Sequence, residues 1–187
     1  MDESSSRDVV DILSEDHREF LGTIDQIMVT EQPEQRRDLT DVLIAEIMRH
    51  AVAEEMYVYP AIKKHVPDGE ASVEHDKEEH EQIVRLMKSL EDVDASETRF
   101  TDLLTELRSL LEHHATDEET EQFPQLRAHI PGQELVDIGG KVEKAKKLAP
   151  TRPHPSAPHS QAFHKLVGPG VGFVDRLRDR LEGRDTG

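Results

Sequence analysis

The sequence predicts an all-α protein: an antiparallel up-down four-helix bundle with a C-terminal helical extension. One stretch occurs twice, from His50 and again from His114, with the same order of residue types. Four segments carry apolar residues at the spacing of an α-helix, and two of them run into the two copies. Aromatic residues make up 4% of the chain and charged residues 34%, which suits a small helical bundle better than a β-rich fold. A duplicated helical hairpin explains this pattern, because two such hairpins packed together make a four-helix bundle.

The duplicated stretch holds a His, a Glu four residues later, a second Glu and an aromatic-Pro pair. The copies read His50, Glu54, Glu55, Tyr59-Pro60 and His114, Glu118, Glu119, Phe123-Pro124. An acid-His pair stands upstream of each copy, Asp16-His17 and Glu79-His80. Residues i and i+4 lie one above the other on a helix, so each His and the Glu four residues later face the same space. The repeat therefore predicts that four helices each present a histidine to one interior site.

The first hairpin is predicted from two helices joined by a short loop. The first helix spans about residues 7–28, with Ser5 or Ser6 as its N-cap. The second begins near Pro33, which suits a first helical turn, and ends at residues 67–69. Pro60 removes a backbone donor inside that helix, so we expect its last turns to bend or loosen.

The second hairpin repeats this design. Its first helix spans roughly residues 71–90 and is followed by a turn over residues 92–96. Its second helix has the cleanest apolar stripe of the chain and ends at the Ile130-Pro131-Gly132 break, with Pro124 repeating the effect of Pro60. These two hairpins define a first domain, residues 1–130.

Residues 131–187 are predicted to form an extension that packs on the bundle. A short helix over about residues 133–148 carries one apolar face, a proline-rich linker occupies residues 150–160, and a small amphipathic helix follows. The apolar residues are Leu135, Ile138, Val142 and Ala145 in the first helix, and Phe173, Val174, Leu177 and Leu181 in the last. The alternative to a docked last helix is a peptide that binds a protein partner.

Charge and composition restrict the function classes. The chain has a net charge of −17, but residues 141–187 carry ten Lys and Arg against five Asp and Glu, so residues 1–140 hold −22. So acidic a bundle repels nucleic acid and anionic membranes, and we expect neither as a partner. The absence of cysteine excludes disulfides and thiol catalysis. We see no signal peptide or membrane span and expect a cytoplasmic protein.

The spacing of the ligands distinguishes between families of metal-binding bundles. Ferritin-like di-iron proteins use Glu-x-x-His with carboxylates in the majority, whereas this chain uses His-x-x-x-Glu with histidines in the majority. An isolated His followed by His-x-x-x-Glu-Glu, repeated, resembles the hemerythrin-like proteins called HHE cation-binding domains, over about residues 7–130. The resemblance implies two iron ions joined by an oxo or hydroxo bridge and by carboxylates. It makes His17 and His50 ligands of one iron and His80 and His114 ligands of the other, with Glu54 and Glu118 bridging.

A seventh ligand is left open. Hemerythrins supply a further His one turn before the third-helix ligand, and Asp76 stands at that position here, beside His75. Asp76 lies about 40° from His80 around the helix and His75 about 140°, which favours Asp76 or water. Tyr57 and Glu121 are the other candidates, as ligands or as hydrogen-bond partners that orient a ligand.

A lone buried histidine is usually a hydrogen-bonded core residue, and a lone His/Glu pair is usually a surface contact. Four histidines and two glutamates in one interior would leave buried carboxylates unpaired unless a cation neutralised them. We interpret Glu55, Glu119, His65, His113 and His129 as ordinary surface residues. The family implies a non-haem di-iron protein that binds or reacts with O2, peroxide or nitric oxide, with peroxide decomposition as the enzymatic version. The alternatives are an iron, oxygen or redox sensor acting through the C-terminal segment and, third, a metal-dependent structural bundle.

Overall fold

The computed structural model describes residues 7–148, and within them it is helical with short connections. The helices are α1 (Val9–Val29), α2 (Pro33–Ala53), α3 (Tyr59–His65), α4 (Gly69–Glu91), α5 (Thr98–Asp117), α6 (Phe123–His129) and α7 (Gly132–Leu148). A π-helical turn joins α2 to α3 over Glu54–Val58, and another joins α5 to α6 over Glu118–Gln122. The chain therefore forms four rods: α1, α2 with α3, α4, and α5 with α6. This arrangement confirms the predicted bundle. Helix α1 packs on α2 and α5, and α4 packs on α5 and α3. None of the helices within residues 7–148 is both long and apolar enough to cross a membrane.

The two π-helical turns are the local response to the two prolines. Pro60 and Pro124 have no N–H to donate, and the N–H of the preceding residue reaches back five residues, from Tyr59 to Glu54 and from Phe123 to Glu118. A turn widened by one residue keeps each rod continuous past its proline. Instead of the expected bend, each rod has a widened turn that begins four residues after the histidine of its copy, at Glu54 and at Glu118.

The N-cap predicted for α1 was wrong. Asp8 caps this helix, with its Oδ1 accepting the N–H of Asp11 at 3.0 Å. Arg127 of α6 donates to both carboxylate oxygens of Asp8, so the cap is also fixed to the opposite hairpin. A carboxylate serves both contacts, whereas the hydroxyl of Ser5 or Ser6, outside the described residues, would offer no charge to Arg127.

The apolar interior is divided into two clusters. The first apolar cluster includes Leu13, Ile62, Val73 and Leu126. The second apolar cluster includes Ile24, Leu43, Leu90 and Leu104. Along α1 the sequence passes from Leu13 through His17 to Ile24, and His17 is 4% exposed. A buried polar layer therefore lies between the two clusters.

Helix α7 completes the first apolar cluster. It packs against α1, α2 and the first π-helical turn, and it buries the four residues predicted for its apolar face, Leu135, Ile138, Val142 and Ala145. Gly139 permits the close approach, because a Cβ there would lie 3.1 Å from the backbone nitrogen of Val9. The linker over residues 150–160 and the amphipathic helix with Phe173, Val174, Leu177 and Leu181 lie outside the described residues.

Candidate metal centre

The six residues predicted as ligands meet in the polar layer between the two apolar clusters. Each rod contributes one histidine, and each π-helical turn begins with one glutamate. Their exposures are 6% or less, and their potential ligand atoms form two groups in which all atoms lie within 4.8 Å of one another. The groups are His17, His50, Glu54 and Glu118 in one, and Glu54, His80 and His114 in the other. We call these six residues the histidine layer.

The imidazoles of the histidine layer face each other in pairs. The Nε2 atoms of His17 and His50 are 3.3 Å apart, and those of His80 and His114 are 3.2 Å apart. The pairs match the two hairpins, since His17 and His50 come from the first hairpin and the other two from the second. Two neighbouring positions are thus each approached by two imidazole nitrogens.

Both glutamates of the layer span the two pairs. Glu54 places Oε1 3.1 Å from Nε2 of His50 and Oε2 3.3 Å from Nε2 of His80. Glu118 places Oε2 3.2 Å from Nε2 of His17 and Oε1 3.8 Å from Nε2 of His114. Glu54 therefore has one oxygen at each position, as a bridging carboxylate requires, while Glu118 lies close to the first position and reaches toward the second at the longer distance.

Carboxylates outside the layer fix three of the four imidazoles. His50 donates through Nδ1 to Oδ2 of Asp16 at 3.0 Å, and His114 donates through Nδ1 to Oε2 of Glu79 at 2.7 Å. In both cases the acid precedes the histidine of the other helix in the same hairpin. A proton held on Nδ1 leaves the Nε2 lone pair facing inward, as metal-bound histidines require.

The other two imidazoles lie close to carboxylates of the opposite hairpin. Nδ1 of His17 donates to Oε1 of Glu119 at 2.9 Å, and Nδ1 of His80 lies 3.8 Å from Oε1 of Glu55. Our interpretation of Glu119 as an ordinary surface residue was therefore wrong. Its side chain is 41% exposed, but one oxygen reaches the buried ring. The repeated second Glu was the signal in the sequence, and only the folded arrangement shows which histidine it supports.

The buried oxygens of the layer indicate a cation. Within residues 7–148, both carboxylate oxygens of Glu54 and Oε2 of Glu118 have no hydrogen-bond partner. The Nε2 atoms lie 3.1 to 3.3 Å from them, but their directions do not meet those of a hydrogen bond. Lone pairs of nitrogen and oxygen thus converge on the same space, and burying such carboxylates without a cation would cost several kcal/mol or so. The residues present fit a pair of metal ions.

Protons balance this charge when no metal is bound. Burial lowers the pKa of His50, but Glu54 and Asp16 overcome that effect and raise it to about 9. His80 is likewise opposed by burial, and Glu54 and Glu55 raise its pKa to about 10. Burial would raise the pKa of Glu54, yet His50 and His80 hold it well below its usual range. The layer is therefore a set of charged, proton-bearing groups before it takes a metal.

The four-helix part of the chain matches a known protein family. Residues 8–126 match the model of the hemerythrin HHE cation binding domain. The chain belongs to the hemerythrin family of HHE cation-binding domains. The matched range contains every residue of the histidine layer and excludes α7.

Two curated relatives and one solved structure are similar to this chain. A protein of Schizosaccharomyces pombe named as an uncharacterized hemerythrin-like protein is 29% identical over 175 residues, covering 93% of this chain and 86% of that protein. A protein of a Nostoc species named DNA nickase is 20% identical over 138 residues, covering 74% of this chain but 39% of that protein. The crystal structure of a hemerythrin HHE cation binding domain-containing protein from Mycobacterium kansasii has a TM-score of 0.69 and 23% identity, covering 91% of this chain and 99% of that chain. The last comparison supports the fold.

The three additional ligand candidates of this hemerythrin domain have different surroundings. Asp76 is fully buried, accepts from Nε2 of Gln122 through Oδ1, and has no partner for Oδ2 within the described residues. Burial and the nearby Glu118 raise the pKa of Asp76 to about 7. Tyr57 is half-buried against the first apolar cluster, and Glu121 is exposed. Of the three, Asp76 is the residue that the fold buries at the centre.

Tyr59 is a residue of the centre that the sequence interpretation missed. Its hydroxyl oxygen lies 3.3 Å from both ring nitrogens of His80, with the rings stacked at 5.8 Å. Burial and the carboxylates of the layer raise the pKa of the Tyr59 phenol well above its usual range, so the hydroxyl keeps its proton. Phe123, the equivalent residue of the second copy, stacks on His17 at 5.9 Å. The duplicated centre therefore has a hydroxyl group on one side and an apolar ring on the other.

A small cavity of about 20 Å³ lies beside the hemerythrin centre. Its lining combines the four histidines with apolar side chains, including Phe20, Ile83, Met87 and Leu111. A space of roughly this size holds one water or a diatomic molecule. The apolar lining admits such a molecule while offering few hydrogen bonds to water.

Helix α7 also reaches the centre from outside the matched domain. Lys146 donates to Oδ1 of Asp16, whose other oxygen accepts from His50. A chain of contacts thus runs from the end of the described residues to one imidazole of the layer.

Proposed function

We propose that this chain is a non-haem di-iron protein of the hemerythrin family that binds or reacts with O2, peroxide or nitric oxide. The observation that carries the proposal is the pairing of four imidazoles with two carboxylates that each span both pairs. His17 and His50 would hold one iron, His80 and His114 the other, and Glu54 with Glu118 would bridge them. Neutral imidazole with carboxylate is a donor set that iron accepts.

When bound, the irons would supply the redox and Lewis-acid chemistry that this chain lacks. The protein's own residues would supply access and protons. The cavity beside His80 admits one small molecule, and its apolar lining excludes bulk water. Tyr59 holds a proton at its hydroxyl oxygen next to His80, while the unpaired Oδ2 of Asp76 serves either as a further ligand or as a second proton position. The cavity, Tyr59 and Asp76 do not require a substrate larger than such a small molecule.

Metal analysis and the optical spectrum of the aerobically purified protein test the proposal. We expect two irons per chain and near-ultraviolet absorption of an oxo-bridged di-ferric centre, which zinc would not produce. Glu54→Gln and Glu118→Gln remove a bridging charge and should lower the iron content. Glu121→Gln removes the same charge from an exposed position near Glu118 and should leave iron content and spectrum unchanged. Full iron content with an unaltered spectrum in both bridge variants would show that these carboxylates are not the bridges.

A second candidate, an iron, oxygen or redox sensor, is favoured by the contact of Lys146 with Asp16. This contact would connect the state of the centre to the position of α7 and to the residues that follow it. Chains that end after Pro150 keep α7 and remove the tail. A tail that is coupled to the centre predicts different azide-binding rates with and without it at equal iron content, and equal rates would contradict that coupling. Peroxide turnover at a useful rate would instead favour the enzyme.

A further inference from the structure

A second cluster of histidines and carboxylates lies on the outer surface, between α4 and α5. His75 and Glu79 stand one turn apart on α4, and His113 and Asp117 stand one turn apart on α5. Side chains four residues apart share a helix face, and α4 packs directly against α5. Two His/acid pairs from neighbouring helices therefore face each other outside the histidine layer.

Ligand atoms of His75, Glu79 and Asp117 lie within 4.8 Å of one another, and His113 stands beside this group. Nε2 of His75 lies 3.6 Å from Oε1 of Glu79 and 3.9 Å from Oδ2 of Asp117. Nε2 of His113 lies 3.5 Å from the same Glu79 oxygen and 3.6 Å from the same Asp117 oxygen. All four distances exceed those of a normal hydrogen bond. Ligand atoms around a tetrahedral zinc ion lie roughly 3.4 Å apart, so a small ion fits between His75, Glu79 and Asp117, with His113 flanking it on the side of the two carboxylates.

The cluster is open to solvent, in contrast to the histidine layer. The side chains of His75 and His113 are 57% and 64% exposed. They line, with Glu79, a cleft of about 170 Å³, which can admit a hydrated ion. Two imidazoles and two carboxylates together carry two negative charges. Nitrogen and oxygen donors of this kind suit divalent first-row metal ions.

We propose that His75, His113, Glu79 and Asp117 form an exposed binding site for a divalent transition-metal ion such as Zn²⁺, which accepts imidazole and carboxylate ligands. The site is distinct from the buried centre and does not depend on which metal that centre holds. Glu79 belongs to both, because its Oε1 faces the outer cluster while its Oε2 accepts from Nδ1 of His114. An ion on Oε1 would draw charge away from Oε2.

Titration with Zn²⁺ tests the outer site in the full chain after its buried centre has been loaded with iron. Calorimetry at pH 7.5 should show one further Zn²⁺ per chain. The double variant His75→Ala with His113→Ala should lose at least tenfold in Zn²⁺ affinity. Both positions are exposed, and an unchanged helical circular dichroism with unchanged iron content shows that the double variant is folded.

A matched pair of charge variants separates coordination from attraction to an acidic surface. Asp117→Asn removes a negative charge that contacts both imidazoles, whereas Glu78→Gln removes one that lines the cleft but is not one of the four ligands. Asp117→Asn should weaken Zn²⁺ binding about tenfold, and Glu78→Gln should change it less than threefold. Equal losses in the two variants, or no additional Zn²⁺ in the unaltered chain, would overturn the proposal.

The sharing of Glu79 adds a readout that rests on the proposed function of the buried centre. Zn²⁺ should shift the near-ultraviolet band of the iron-loaded protein, and the double histidine variant should show no shift. A band that stays unchanged while calorimetry records Zn²⁺ binding would overturn the link between the sites. A buried centre without iron would remove the band itself, and the calorimetric result would still decide the outer site.

Discussion

Loading the metal-free protein with two divalent ions should release about two protons per chain at pH 7 from His50 and His80, and His114, whose pKa is also raised, adds to this release. Metal binding needs the Nε2 lone pairs of His50 and His80, and both rings are protonated beforehand because their pKa values are raised to about 9 and about 10. At pH 9 half of the His50 rings have already lost a proton, so release from these two rings should fall to about one and a half.

The same pKa values fix the sign of the stability change. A raised histidine pKa stabilises the folded protein fully below the unfolded value of 6.5, and the effect is lost as pH rises through the folded value. For His50 the change to about 9 corresponds to roughly 3 kcal/mol at 1.36 kcal/mol per pKa unit. Metal-free protein should therefore melt at lower temperature as pH rises from 7 to 10. Metal-loaded protein has no such protons to lose, so the gap between the two melting temperatures should widen.

Calorimetry in two buffers of different ionisation enthalpy measures the proton release, with Zn²⁺ added to the double variant of His75 and His113 so that the outer cluster does not contribute. Asp16→Asn removes the charge that accepts from Nδ1 of His50 and should reduce the release at pH 8. Glu15→Gln is the matched control, since Glu15 contacts Arg7 on the surface. Release of less than one proton at pH 7, or the same release at pH 7 and pH 9, would refute the reasoning.

Three further predictions concern other parts of the molecule. Gly69→Ala should destabilise the fold in chemical denaturation because its Cβ would overlap a backbone carbonyl of α3. Gly22→Ala has open space around it and should stabilise the fold by about 0.5 to 1 kcal/mol. Equal effects of the two substitutions would contradict the packing described for Gly69. Tyr59→Phe keeps the ring and should preserve iron content but slow the reaction with peroxide at least tenfold in stopped-flow measurements, and an unchanged rate would remove the hydroxyl from proton supply. Lys146→Met should weaken metal binding about tenfold in a chelator competition, with exposed Lys147→Met as a control that should show no loss.

The bundle could be predicted because duplication and helical periodicity are properties of the sequence itself. The polar layer was visible in the same way, since each apolar stripe is interrupted by a histidine at an equivalent place. The assignment of these four histidines as iron ligands remains a prediction. These patterns need no knowledge of how the helices turn relative to one another.

The sequence could not show which residues face the interior after the π-helical turns. Counting an ordinary turn beyond Glu54 and Glu118 led to Tyr57 and Glu121, but the widened turn adds a residue. Gln122, one residue after Glu121, consequently faces the centre, as does Tyr59, two residues after Tyr57, and Glu121 is exposed. The prolines signalled a disturbance of the helix without showing that it would be a widening.

The division of the interior has a consequence for how the protein comes apart. Each apolar cluster is continuous within itself. Between the two clusters lies a layer of charged and polar groups, which has little apolar contact of its own. A pair of bridged ions that cross-links all four rods at this level would tie the two halves into one cooperative unit, whereas protons in their place would leave the two halves less strongly coupled. Amide hydrogens on either side of this layer would then exchange through separate openings, the half that contains Leu104 independently of the half that contains α7.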